Sequence, residues 1–226
     1  MVTKRKTGTP ADRQTPRIMS ELLTAADALA HLGPAVSVFG SARLRTDSPY
    51  YGLAEEIGRL LARAGFAVIA GGGPGIMEAA NKGAIEAGGT SVGLNITLPF
   101  ETTNNAYQTI ELSFEYFYSR KATFFMHSMA YVALPGGYGT MDELFEALTL
   151  MQTGKIPHGP IVLVGAQFWG GLIDWIREQM LDMSMISPGD LDLFQVEDDP
   201  GAVVDVIAAF HARQQNDALY VPTLPA

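Results

Sequence analysis

The chain contains no cysteine. Disulfides, thiol nucleophiles and thiolate metal sites are thereby excluded, in agreement with a reducing compartment. It also lacks any apolar run of the roughly 20 residues that a membrane-crossing helix needs. Residues 1–15 are polar and basic without an apolar centre, so they read as neither a secretory signal nor an anchor, and a cytoplasmic location is expected. Cations are scarce, with 15 Lys and Arg against 24 Asp and Glu and a net charge of -9. A nucleic-acid surface would have to be a local patch working against the field of the whole molecule, and the main cationic run, Lys4, Arg5 and Lys6, lies at the polar start. Neither nucleic acid nor membrane is expected as a partner. Among His31, His127, His158 and His211 no pair has metal-ligand spacing, so neither a metal nor a cofactor is expected.

What is present is enough apolar material for a packed core: 47% of 226 residues. The length suits one α/β domain over residues 16–215, with tails at 1–15 and 216–226. Short apolar runs at 35–39, 67–70, 91–96, 130–134 and 160–164 read as strands of the nearly continuous apolar kind found in parallel sheets. Helical spacing fills the intervals. Leu53, Ile57, Leu60, Leu61 and Ala64 recur at steps of three and four before Gly65, and Ile76, Ala79, Ala80, Gly83, Ala84 and Ala87 do so before Gly88. Met141, Leu144, Phe145, Leu148 and Met151 mark another helix, Leu172, Ile173, Ile176 and Met180 a further one, and Val203, Val204 and Ile207 the last. Residues 16–32 read as an additional N-terminal helix. The alternation predicts a Rossmann-like, doubly wound, mainly parallel sheet with helices on both faces and a ligand site at the carboxyl ends of the strands.

Three glycine-bearing turns fall at those ends. The first includes Gly40 and Ser41, the second runs Gly71-Gly72-Gly73-Pro74-Gly75, and the third Pro135-Gly136-Gly137-Tyr138-Gly139-Thr140. Glycines let a ligand approach backbone N–H groups, and a helix start favours negative charge. None of the three is a Walker A loop or a dinucleotide fingerprint, so a mononucleotide suits them better. Each alone could simply be a tight strand-to-helix turn.

Charged residues stand beside them. Thr140-Met141-Asp142-Glu143 fits a capping box, with Thr140 as the cap; the alternative sets the Glu143 carboxylate one turn from a phosphate loop, facing a ribose. Glycosidic cleavage requires such a group, because positive charge develops on the sugar and a water must be oriented. Ser119-Arg120-Lys121 opens a helical segment, and two cations near a helix start call for a phosphate or a carboxylate nearby, or else are plain surface charge. Phe114, Tyr116, Phe117 and Tyr118 could pack on a purine, in the core or at a subunit interface. Trp169 and Trp175 read as helix-packing residues.

With these pieces in place the chain resembles the Lonely Guy (LOG) family, earlier labelled as lysine decarboxylases. The resemblance rests on the run from Gly71 to Ala79, on Ser119-Arg120-Lys121 and on the run from Pro135 to Glu143, and it spans residues 35–164. It implies a homodimer or assembly of dimers that hydrolyses a purine nucleoside 5'-monophosphate, adenine or N6-substituted adenine, to free base and ribose 5-phosphate. Arg120 and Glu143 match the family's catalytic pair. Gly136, Gly137, Gly139 and Thr140 match its phosphate-holding Pro-Gly-Gly-x-Gly-Thr segment and Glu101 and Thr149 match two of its substrate contacts, while Gly40, Ser41, Gly72, Gly73, Lys121, Pro135 and Tyr138 are expected as further substrate-binding residues. Gly-Pro-Gly-Ile-Met-Glu after the glycine pair, and Asp142 where Glu is common, depart from the plant-like members and resemble a larger bacterial subgroup. A decarboxylase would require pyridoxal phosphate on an anchoring lysine, for which no site is evident. A non-catalytic nucleotide or molybdenum-cofactor carrier of the same fold, or a nucleotide-sensing partner, are the rival readings.

Overall fold

Alternation of side chains along the strands decides the layering. In a computed structural model, which describes residues 10–98 and 104–219, with side chains for 14–98 and 104–215, seven parallel strands form one sheet. Their ranges are β1 Ala35–Phe39, β2 Ala67–Ala70, β3 Ser91–Ile96, β4 Ile110–Phe114, β5 Ala130–Ala133, β6 Ile161–Leu163 and β7 Gln195–Val196. The spatial order is β4-β3-β2-β1-β5-β6-β7. Val36, Val38, Val68, Ala130 and Val132 enter one apolar layer, whereas Ala35, Phe39, Ile69, Tyr131 and Ala133 enter the other. Both faces of the inner strands are therefore buried, as a parallel sheet covered by helices requires.

The helices are α1 Pro10–Ala28, α2 Pro49–Arg63, α3 Ile76–Glu86, α4 Phe117–His127, α5 Tyr138–Gln152, α6 Ala166–Trp175 and α7 Pro200–Leu219. Leu61 of α2, Ile76 of α3 and Val203 of α7 fill the first layer, and Leu29 beyond α1, Phe124 of α4, Leu144 of α5 and Trp169 of α6 fill the second. Phe39 anchors the latter, with its ring centroid 5.2 Å from that of Phe124 and 6.0 Å from that of Tyr131. Burying one such ring is worth up to about 3 kcal/mol. Trp169 is wholly buried and donates its indole N–H to the Val164 carbonyl at 3.1 Å, which removes the cost of burying a polar group.

Several local expectations are corrected. The N-terminal helix begins at Pro10 and ends at Ala28, ahead of the 16–32 span. The edge strands β4 and β7 carry no apolar run: β4 alternates buried Leu112 and Phe114 with exposed Glu111 and Ser113. After Trp175 the helix widens into a π-helical segment, Ile176–Leu181, which leaves Trp175 half exposed rather than packed. Among the described residues no helix is long and apolar enough to cross a membrane. The tails expected at 1–15 and 216–226 lie largely outside the described residues.

α1 lies across α4 and β4. Arg17 Nη1 pairs with Glu115 Oε2 at 3.0 Å, Glu21 Oε1 accepts the Glu115 amide at 2.8 Å, and the Ser119 hydroxyl donates to the other Glu21 oxygen. A carboxylate brought in by α1 thus ties the residue ahead of α4 to the Ser119 hydroxyl in its first turn, close to the helix start where negative charge is favoured.

Candidate active site

The order of strands reverses between β1 and β5, which opens a crevice at their carboxyl ends. Two of the glycine turns leave these two strands, and the third leaves neighbouring β2. Ser41 ties all three together: its amide donates to the Pro135 carbonyl at 3.1 Å, and its carbonyl accepts from the Ile76 amide at 3.0 Å. The Ser41 hydroxyl is used locally, accepting from the Arg43 amide at 3.1 Å. Gly40 lies directly against the Ile76 side chain.

Arg120, in the second turn of α4, is 7% exposed. Its Nε donates to the Leu94 carbonyl at 2.7 Å, its Nη2 donates to the Gly71 carbonyl at 3.3 Å, and its guanidinium carbon lies 5.4 Å from the centroid of the Phe124 ring. These contacts fix the plane of the fork. Nη1 faces Glu143 Oε1 at 3.7 Å, close enough for Coulomb attraction but beyond a hydrogen bond. Burial works against the guanidinium's charge, and Glu143 favours it. Gly71 is glycine for a steric reason: a Cβ there would collide with Arg120 Nη2 and Met77 Sδ.

Glu143 is itself mostly buried, and burial pushes its carboxyl up to about 7, against the opposing pull of Arg120. Asp142 adds to the rise, Lys121 opposes it, and Glu146 adds again. Lys121 Nζ lies 2.8 Å from Asp142 Oδ2 and 2.5 Å from Glu146 Oε2. Burial lowers the lysine's proton affinity, but hydrogen bonds to these two carboxylates outweigh it and raise the balance. The charge-matching expected of the two cations is thus met by carboxylates of α5.

The capping box is not formed. α5 starts at Tyr138 with Gly137 as N-cap and no side-chain cap, so Thr140 sits inside the first turn, buried against Gly136. Glu143 consequently falls in the second turn and turns toward Arg120. The first N–H groups of α5 have no partner within the helix. A Cβ at Gly137 or Gly139 would meet open space, and Tyr138 stands almost wholly in solvent. Thr149 lies about 9 Å further along α5 than Glu143, and its hydroxyl donates to the Phe145 carbonyl at 2.7 Å. Glu101 lies outside the described residues.

A polar latch went unread in the sequence. Gly72 has a left-handed φ of 76° and packs on the Asn95 side chain. Its carbonyl accepts from the Asn105 amide at 2.8 Å and from Gln108 Nε2 at 3.0 Å, while the Gly73 carbonyl accepts from Asn105 Nδ2 at 2.9 Å. With Gly71 held by Arg120, three successive carbonyls are drawn to fixed donors. The N–H groups of Gly72 and Gly73 therefore point away from those donors, because carbonyl and following amide oppose each other across a trans peptide. Asn95, Asn105 and Gln108 carry no motif; the one available signal was the density of amide side chains just before β4.

Comparison with known proteins follows the same outline. The family model described as "Possible lysine decarboxylase" matches residues 77–207, more than half of the chain. A cytokinin riboside 5'-monophosphate phosphoribohydrolase of Rhodococcoides fascians is 29% identical over 151 residues, 65% of this chain and 76% of that one. A protein of the same name from Arabidopsis thaliana is 29% identical over 157 residues, 68% of this chain and 72% of that one. Among solved structures, the Moco carrier protein of Chlamydomonas reinhardtii aligns with a TM-score of 0.59 at 26% identity, covering 79% of this chain and 98% of that one. The chain belongs to the family described as possible lysine decarboxylases, the LOG family.

Proposed function

We propose that this protein hydrolyses the N-glycosidic bond of a purine nucleoside 5'-monophosphate, adenine or N6-substituted adenine, giving free base and ribose 5-phosphate. The observation that carries the reading is the buried Arg120 guanidinium facing Glu143 at 3.7 Å, beside the uncapped start of α5. Backbone amides in the turn 136–140 hold the 5'-phosphate, where helix dipole and free N–H groups favour an anion. Arg120 orients the nucleotide and balances its charge. Glu143 stabilises the positive charge that develops on the ribose or takes a proton from the attacking water. The water oxygen bonds to C1', the C1'–N bond breaks, and the base leaves with its electron pair and acquires a proton. A carboxyl group near 7 is present in both charge states at neutrality, which suits it to that exchange.

The names of the relatives support this substrate class. In the cell we place the protein in the cytoplasm, as an assembly of copies; exposed Met19 and Leu23 on α1 and Met126 on α4 support association, which light scattering would test. Incubation with AMP and with isopentenyladenosine 5'-monophosphate should release base and ribose 5-phosphate, and Glu143→Gln should lower turnover by about 100-fold or more, the usual cost of one preorganised electrostatic contact. A carrier without catalysis is the second reading, favoured by the likeness to the Moco carrier. Saturable nucleotide binding with no base released would select it.

A further inference from the structure

Three carboxylates crowd the first half of α5: Asp142, Glu143 and Glu146. The helix offers them no cation of its own. Asp142 and Glu146 share one face at i, i+4, and Glu143 lies between them, so like charges repel within a single turn. Arg120 faces Glu143 alone. The neighbouring cation on α4, Lys121, spans the other two, with Nζ 2.9 Å and 2.8 Å from the Asp142 oxygens and 2.5 Å from Glu146. Its side chain is 19% exposed, and its ammonium donates a hydrogen bond to Asp142 while lying in ion-pair contact with Glu146, so a third anion would compete with two carboxylates already in place.

We propose that Lys121 is a positioning residue and not a ligand of the substrate: clamped by Asp142 and Glu146, it docks α5 on α4 and shields Glu143 from the two carboxylates beside it. The inference rests on the proposed role of Glu143 and reassigns the lysine of the Arg-Lys pair. A phosphate recruiting this ammonium would have to outcompete the pull of both carboxylates. Among the described residues the charged groups acting on Glu143 are these four, Arg120 and Lys121 from α4 and Asp142 and Glu146 from its own helix. Without the lysine charge the flanking carboxylates act unopposed, and Glu143 binds its proton more tightly.

The test is a carboxyl-carbon NMR titration of Glu143, the resonance being assigned by its loss in Glu143→Gln. Lys121→Met keeps the apolar stem and removes the charge, and the Glu143 midpoint should rise by roughly half a unit to one unit. Adding Asp142→Asn to that variant should return it, and Lys121→Arg should hold it near the wild-type value. In AMP hydrolysis the acid limb of kcat should move with the midpoint while KM stays within about twofold. An unmoved midpoint overturns the proposal, as does a KM raised about tenfold or more with an unmoved limb, which would make Lys121 a substrate ligand. If Lys121→Met does not fold, Asp142→Asn alone should lower the midpoint, and its failure to do so overturns the proposal equally. The titration needs no turnover, so a protein that releases no base would refute the hydrolase reading while leaving the shielding role to be judged separately.

Discussion

Replacing Glu143 by Gln should change how stability depends on pH, and by a large amount. Burial holds the carboxyl at about 7 in the folded protein, against 4.5 for an ordinary glutamate. Below about pH 4.5 the group is protonated in both folded and unfolded chains and contributes nothing to the difference. As pH rises, the unfolded chain ionises first, so its stability relative to the folded form improves until the folded carboxyl also ionises near 7. The wild type therefore loses stability between these limits, and a gap of about 2.5 units corresponds to about 3 kcal/mol. Glutamine does not titrate. Urea unfolding of both proteins at steps from about pH 4 to 8 should show the variant gaining on the wild type through this window and holding the gain above it. Any constant offset from leaving Arg120 with an amide partner appears at every pH and drops out of the comparison. Two stability curves that stay parallel would refute the argument, for they would mean that Glu143 is hydrated or fully satisfied as an anion.

Other perturbations follow from the same geometry. Gly71→Ala drives a methyl group into Arg120 Nη2, so the guanidinium must leave the Gly71 carbonyl; kcat/KM should fall at least about tenfold while circular dichroism stays that of the wild type. Asn105→Ala removes the donors to Gly73 and to Asn81 Oδ1, and should cost about 1–2 kcal/mol in urea unfolding together with a higher KM. Glu21→Ala removes the acceptor of the Glu115 amide and of the Ser119 hydroxyl, with an expected loss of about 1–2 kcal/mol measured the same way.

What could be read from sequence were features written in neighbouring residues. β1 and β2 are apolar over nearly their whole length because both faces are covered, and β3, buried along nearly all of its length, alternates Val92, Leu94 and Ile96 with smaller or polar residues, so their bounds appear directly in the chain. β4 is an edge strand with one face in solvent, and its Ile-Glu-Leu-Ser-Phe pattern is too short to stand out. The Arg120 and Glu143 motifs were visible, but what joins them was not. Their meeting depends on how α4 and α5 stack over the sheet, and the carbonyls of Leu94 and Gly71 that aim the guanidinium have no side-chain signature. The start of α5 was misplaced because Thr140-x-x-Glu143 satisfies a capping pattern, whereas Gly137 begins the helix three residues earlier and turns the same glutamate inward. That Lys121 should meet an anion was legible from its place near a helix start, but not which one, since Asp142 and Glu146 are more than twenty residues away along the chain.

A crystal structure of Glu143→Gln with AMP bound addresses the central claim most directly. The phosphate should lie about 3 Å from amide nitrogens of the turn 136–140, with ribose C1' between the Arg120 guanidinium and residue 143. A nucleotide seated elsewhere, or one whose ribose faces away from both side chains, would contradict the account.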